Sequence, residues 1–207
     1  MRANVYVDGF NLYYGCLEGT GYKWLDLGRL CELLLPHYDI GRIKYFTARV
    51  RPRPEDPQKH IRQMIYLRAL QTIPNLTVHY GHYLSHPVRM PLAHPKIGGA
   101  NTVEVIKTEE KGSDVNIATH LLVDGFQNDY QVAVIISNDS DLRFPIEVVR
   151  NTLDRPVVIL NPYNNGSQAL KSVASTCKPI REGVLRVSQF PETLTDEHGT
   201  ITKPASW

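Results

Sequence analysis

Residues Val132–Ile136 read Val-Ala-Val-Ile-Ile, an apolar run that ends through Ser137 in the polar stretch Asn138-Asp139-Ser140-Asp141. A β-strand sends successive side chains to opposite faces of its sheet, so a strand without polar alternation must be covered on both sides. Helices on both faces of a largely parallel sheet meet that demand, which predicts an α/β fold with this run as a central strand. Shorter runs rich in Val, Ile, Leu and Tyr at 4–7, 43–48, 76–80 and 156–160 complete a sheet of about five strands. Helical patterns at 27–35, 58–71, 114–126, 142–151 and 168–174 lie between and beyond them, and Ser113 is the expected N-cap of the third. Residues 81–108, with Pro87, Pro91, Pro95 and Gly98-Gly99, read as an irregular excursion that turns strand-like at 102–106 and has a mobile tip.

A chain of 207 residues fits one domain with an added piece. We expect the domain to span 1–180 and an appendage 181–207, whose end is too poor in apolar residues to hold itself in place. No apolar run reaches the ~18 residues that cross a bilayer, and MRANVYVDGF lacks the apolar stretch of a secretory signal, so a cytoplasmic protein without a membrane partner is expected. Cys16, Cys31 and Cys177 are odd in number and widely spaced, which fits buried thiols better than disulfides or a metal site.

Net charge is only +2, but the two signs are segregated. Residues 42–71 hold eight basic residues, Arg53 among them, against Glu55 and Asp56, whereas 104–147 hold nine acids against Lys107, Lys111 and Arg143. A basic region beside an acidic one suits an enzyme that binds a polyanion and holds divalent cations.

Ligands of an open α/β sheet bind beyond the carboxyl ends of its strands, so acids at strand exits matter most. Asp8 follows the first strand directly, with Asn11 three residues on; Asp139 and Asp141 follow the central strand; Asp114 opens a crossover helix at the same edge. Each has a structural reading as a helix cap, a turn residue or a partner of a helix dipole. Together on one rim they repel one another unless a cation neutralises them. Oxygen-only donors select Mg²⁺ or Mn²⁺, with Asp8, Asp114, Asp139 and Asp141 as ligands, and the chemistry that follows is metal-assisted phosphodiester hydrolysis.

The segments VDGFNL (7–12), EKGSD (110–114) and ISNDSDL (136–142) resemble the motifs of the NYN domain, a branch of the PIN-like ribonuclease superfamily. The resemblance covers roughly 3–161 and implies a Rossmann-like sheet and a metal-dependent ribonuclease acting on single-stranded or looped RNA. On the family's pattern, Asp8, Asn11, Asp114, Asp139 and Asp141 are the catalytic positions. Lys111, Arg49, Arg51, Ser137 and Asn138 are candidates for contacting RNA, and Tyr13, Tyr14 or Tyr45 for stacking on bases. Many relatives carry Gly at the position of Asn138 and Asp at that of His120. At 1.5 Å per residue, His120 and Asp124 lie about 9 and 15 Å down the helix from Asp114, outside such a site.

Three features stand apart from that pattern. His79, His82, His86 and His94 are close in sequence but lack cysteine partners, so surface or RNA-contacting roles suit them better than zinc. The loop from Asn161 to Ser167 presents backbone amides that can hold a phosphate, or merely connects. Rival readings are a non-catalytic RNA-binding regulatory module and a phosphatase built on Asp139-Ser140-Asp141. A homo-oligomer or an inhibitor protein is compatible with the sequence.

Overall fold

The structure is a computed structural model that describes residues 1–52 and 54–207; Arg53 of the basic stretch lies outside the described residues. Its centre is a six-stranded sheet in the order β3-β2-β1-β6-β7-β8, formed by β1 (Arg2–Asp8), β2 (Asp39–Thr47), β3 (Leu76–Tyr80), β6 (Val132–Ile136), β7 (Val157–Asn161) and β8 (Thr176–Pro179). Every pairing in this sheet is parallel. The strand beyond the expected five is β8, whose Thr-Cys-Lys-Pro has no apolar run because it is an edge strand, paired only with β7.

Alternation along the strands builds two cores. Val5 and Val7 of β1 and Val134 and Ile136 of β6 face one core; Tyr6, Ala133 and Ile135 face the other. The first core is closed by α2 (Leu27–Leu34), α3 (Lys59–Leu70) and α7 (Glu182–Val187), the second by α4 (Ser113–Phe126), α5 (Arg143–Asn151) and α6 (Gln168–Val173). Ile135 is fully buried, and cutting it to alanine would cost about 2–5 kcal/mol through lost transfer energy and the cavity left behind. The chain crosses from one side of the sheet to the other between β1 and β6, the crevice where doubly wound sheets bind ligands.

Between β3 and α4 the sequence reading is corrected. In place of an irregular excursion, β4 (His82–Pro91) and β5 (Thr102–Lys111) form an antiparallel arm in continuous register from His82–Lys111 to Pro91–Thr102. Both strands of a two-stranded arm are edges, so Pro87 and Pro91 interrupt no interior ladder, and their presence in the sequence masked the strand. The arm springs from the carboxyl edge of the sheet, and Tyr83 near its base meets the Phe10 ring edge-on at 6.1 Å.

The tail also differs from its reading as loose. After α7, the hairpin β9 (Thr193–Asp196) and β10 (Gly199–Thr202) buries Ile201, and Trp207 packs against Trp24 and Tyr66 with ring centroids 6.4 and 5.7 Å away. A few anchors suffice here because the domain already supplies the aromatic cluster of Trp24, Tyr66 and Tyr45, onto which Phe190 and Trp207 of the tail pack.

Candidate metal centre

Asp8 is the last residue of β1, and only 3% of it is exposed. It caps the short helix α1 (Gly9–Leu12): its Oδ1 accepts the Asn11 backbone N–H at 2.9 Å and its Oδ2 the Asn11 amide at 2.7 Å. From the neighbouring strand, the Ser137 hydroxyl donates to the same Oδ2 at 3.0 Å. The helix-cap reading of Asp8 is thus correct, Asn11 is a residue of α1 rather than of a turn, and the cap geometry fixes the carboxylate at the crevice.

Asp139 arrives from the other side of the seam. Its backbone N–H donates to the Ser137 hydroxyl at 3.0 Å, and its Oδ1 accepts the Asp141 N–H at 3.0 Å, capping the 3₁₀ turn Ser140–Leu142. Asp114 comes from the first turn of α4. The expected N-cap Ser113 is instead the first helical residue; Gly112 takes the cap with φ 100°, because the bend from arm to helix needs a left-handed residue. Glu110 serves the free end of the helix, its Oε1 accepting from the Ser113 N–H at 3.2 Å and hydroxyl at 2.9 Å.

One carboxylate oxygen each from Asp8, Asp114 and Asp139 lies within 4.8 Å of the others. Among the described residues, Asp114 has no hydrogen bond or ion pair of its own. Burial raises its pKa to about 6, and the charges of Asp139, Asp8, Glu110 and Asp141 push in the same direction. Burial also raises the Asp8 pKa, against hydrogen bonds from Asn11 and Ser137 that lower it. Three oxygen donors, one of them uncompensated, with no nitrogen or sulfur, fit a divalent metal ion that prefers oxygen ligands.

The remaining sequence candidates divide. Ser137 and Asn11 belong to the centre as the residues that hold Asp8. Asn138 is spent on structure: its N–H donates to Asn11 Oδ1 at 3.2 Å, and its Oδ1 accepts the Ser167 N–H at 2.6 Å, tying down the 161–167 loop. Asp141 is exposed and outside the group of three, acting on Asp114 through its charge. Lys111 leans back along the arm to Glu109 at 3.4 Å. Arg49 lies over the Tyr80 ring at 5.2 Å, and Arg51 is exposed. Glu110 opens the EKGSD segment but was given no role in the sequence reading; the structure makes it the partner of Ser113 at the start of α4.

The basic stretch is less free than its composition suggests, because Arg42, Lys44, Arg62 and Arg68 are paired with Asp129, Asp124, Asp56 and Asp196. Of the histidines, His79 sits against His120 with ring centroids 4.2 Å apart, and burial lowers its pKa to about 4; His82, His86 and His94 are exposed on the arm. His120 and Asp124 face Lys44 in the second core, away from the carboxylate cluster.

The parallel sheet, with carboxylates gathered at its switch point, has the Rossmann-like architecture that the motif resemblance implies. A model of the NYN domain matches residues 2–180, and the chain belongs to that family. It is similar to the 6-hydroxy-3-succinoylpyridine 3-monooxygenase HspA of Pseudomonas putida, at 29% identity over 236 aligned positions that cover 100% of this chain and 75% of that protein. The crystal structure of a protein of unknown function from Vibrio parahaemolyticus matches with a TM-score of 0.58 and 18% identity, covering 87% of this chain and 93% of that one, which shows a shared fold. No helix among the described residues is long and apolar enough to cross a membrane.

Proposed function

We propose that this chain is a divalent-metal-dependent endoribonuclease that hydrolyses phosphodiester bonds in single-stranded or looped RNA. The observation that carries this reading is the convergence of Asp8, Asp114 and Asp139 within 4.8 Å at the crevice between β1 and β6. Asp8, Asp114 and Asp139 would hold Mg²⁺ or Mn²⁺, which when bound supplies Lewis acidity toward a phosphoryl oxygen and makes water a better nucleophile near neutral pH. Asn11 and Ser137 keep the Asp8 carboxylate in one orientation, and Asp114 supplies the charge most in need of a cation. Arg49 and Arg51 follow the end of β2 on the same rim and offset the repulsion between these carboxylates and an RNA backbone. The test is an assay with defined single-stranded and duplex RNA, and with a small phosphate ester, each with and without Mn²⁺. Metal-dependent cuts in the single strand support the reading. Ester hydrolysis alone favours the phosphatase, and RNA binding without turnover favours a regulatory module.

A second reading has its own support in the relative named as a monooxygenase of 6-hydroxy-3-succinoylpyridine, which aligns along all of this chain. On that reading the chain inserts one oxygen atom of O₂ into a hydroxylated pyridine, and a two-electron reductant takes the second atom to water. Incubation with 6-hydroxy-3-succinoylpyridine, O₂ and reduced nicotinamide or flavin, followed by mass spectrometry of the products, tests it directly.

A further inference from the structure

Beside the carboxylate cluster lies a cavity of about 380 Å³, lined by Gly9 and walled by Phe10, Tyr13, Tyr45, Tyr66 and Trp207. The walls are set at angles: Tyr45 and Tyr66 meet edge to face at 86°, and Tyr66 meets Trp207 at 67°. Gly9 directly follows Asp8, and a side chain there would collide with the Tyr45 ring at 2.6 Å, so the aromatic wall and the acidic site are locked together. The polar groups of the cavity are unevenly spent. Arg62 is paired with Asp56, whereas Lys59 forms no ion pair among the described residues and lies 6.0 Å from the centroid of the Tyr13 ring; Lys23 is likewise unpaired, and Glu55 is the other acid at the rim. Of the charged side chains around the cavity, three are cations and two are carboxylates, and Lys59 is the cation that stands over an aromatic face.

We infer that this cavity binds a planar heteroaromatic ring carrying an anionic substituent, with the ring between the aromatic walls and the anion on Lys59. An aromatic cavity of this size favours a flat ring, and aromatic faces bind one without regard to its sequence or origin. The ammonium of Lys59 stands over an aromatic face, where partial desolvation strengthens its pairing with an anion. Two sources share this chemistry, a nucleotide of an RNA strand and a free pyridine carboxylate. The inference is independent of the nuclease reading, since a ring can bind whether or not RNA is cut.

The experiment uses the full chain in chelator, so that no turnover or metal enters. Calorimetry with adenosine 5′-monophosphate and uridine 5′-monophosphate forms one arm and 6-hydroxypyridine-3-carboxylate the other, with ribose 5-phosphate and adenosine as controls that lack the ring or the anion. Saturable binding of at least one ring-bearing anion is expected, about tenfold tighter than either control, with Lys59→Gln weakening it about tenfold and Tyr13→Leu weakening it further. Trp207 is the half-buried one of two tryptophans, so the ligand should quench its fluorescence, and Trp207→Phe should abolish the quenching. Preference for the nucleotides assigns the site to RNA, and preference for the pyridine assigns it to a small aromatic acid. Absence of binding at millimolar ligand, or binding unchanged in both Lys59→Gln and Tyr13→Leu proteins of native circular dichroism, overturns the inference.

Discussion

Ser137 joins Asp8 across the seam of the sheet: its fully buried hydroxyl donates to Asp8 Oδ2 at 3.0 Å while accepting the Asp139 N–H at the same distance. One hydroxyl therefore ties the Asp8 carboxylate to the backbone of Asp139, a residue from a distant segment of the chain. Ser137→Ala should lower Mn²⁺ affinity by about 10–100-fold, as removal of groups that orient metal ligands does. The fold should lose about 1 kcal/mol, the net worth of one buried hydrogen bond. Calorimetric Mn²⁺ titration and a melting curve on the same preparation check both numbers.

Asp114 is the acid whose ionised form the metal-free fold tolerates least. Its folded pKa is raised to about 6 from 3.8, so its favourable contribution is complete below pH 3.8 and is lost as the pH rises through 6. Asp114→Asn should accordingly stabilise the metal-free protein at pH 7. With the shift discounted for the solvent reaching this half-buried group, the gain is on the order of 1 kcal/mol, or about 2–4 °C in Tm. The same variant should lose the stabilisation that Mn²⁺ gives the parent protein and should lose RNA cleavage. A lower Tm in the variant would reject this account.

Because a proton and a cation compete for Asp114, metal affinity should fall as the pH drops through about 6 and level off above it. Mn²⁺ titrations at pH 5, 6, 7 and 8 (about one unit apart, to bracket that value) read the dependence. In the Asp114→Asn protein the remaining affinity should show a weaker dependence over this range.

Lys44 and Asp124 form a buried ion pair at 2.6 Å beneath the sheet, with the Tyr6 hydroxyl donating to Asp124 at 2.7 Å and His120 Nδ1 3.2 Å from the ammonium. Lys44→Met strands a carboxylate in the second core and should cost about 3–5 kcal/mol. The double variant Lys44→Met/Asp124→Leu should recover most of that loss, because no charge is left unpaired. Denaturant unfolding of the two variants checks the order, and equal stabilities would contradict it.

Arg49 and Arg51 follow the carboxyl end of β2 and have no acidic partner among the described residues. Replacing both with alanine should weaken RNA binding and lower its salt dependence by roughly 0.7 in slope for each phosphate that no longer meets a cation. Cleavage at saturating RNA should change less. Fluorescence anisotropy with labelled single-stranded RNA at several salt concentrations measures the slope, and an unchanged slope would send the RNA along another path.

The α/β class, the central strand and the acids at the strand exits were legible because they rest on local periodicity and on the order of elements along the chain. An all-apolar Val132–Ile136 needs two covered faces whatever packs there, and an aspartate that follows a parallel strand emerges at the carboxyl edge. Three things were decided only by the tertiary structure. The arm of β4 and β5 is held by pairing between residues about 10–30 positions apart in sequence, which its prolines disguised and no local pattern reports. Asp141 parted from Asp8, Asp114 and Asp139 because a cap bond from its own N–H to Asp139 turns the chain, and distances between carboxylates depend on such turns rather than on spacing. The basic stretch divided into paired and unpaired members for the same reason: Asp129, Asp124 and Asp196 reach it from distant segments, and a charge is spent or available according to its neighbour in space.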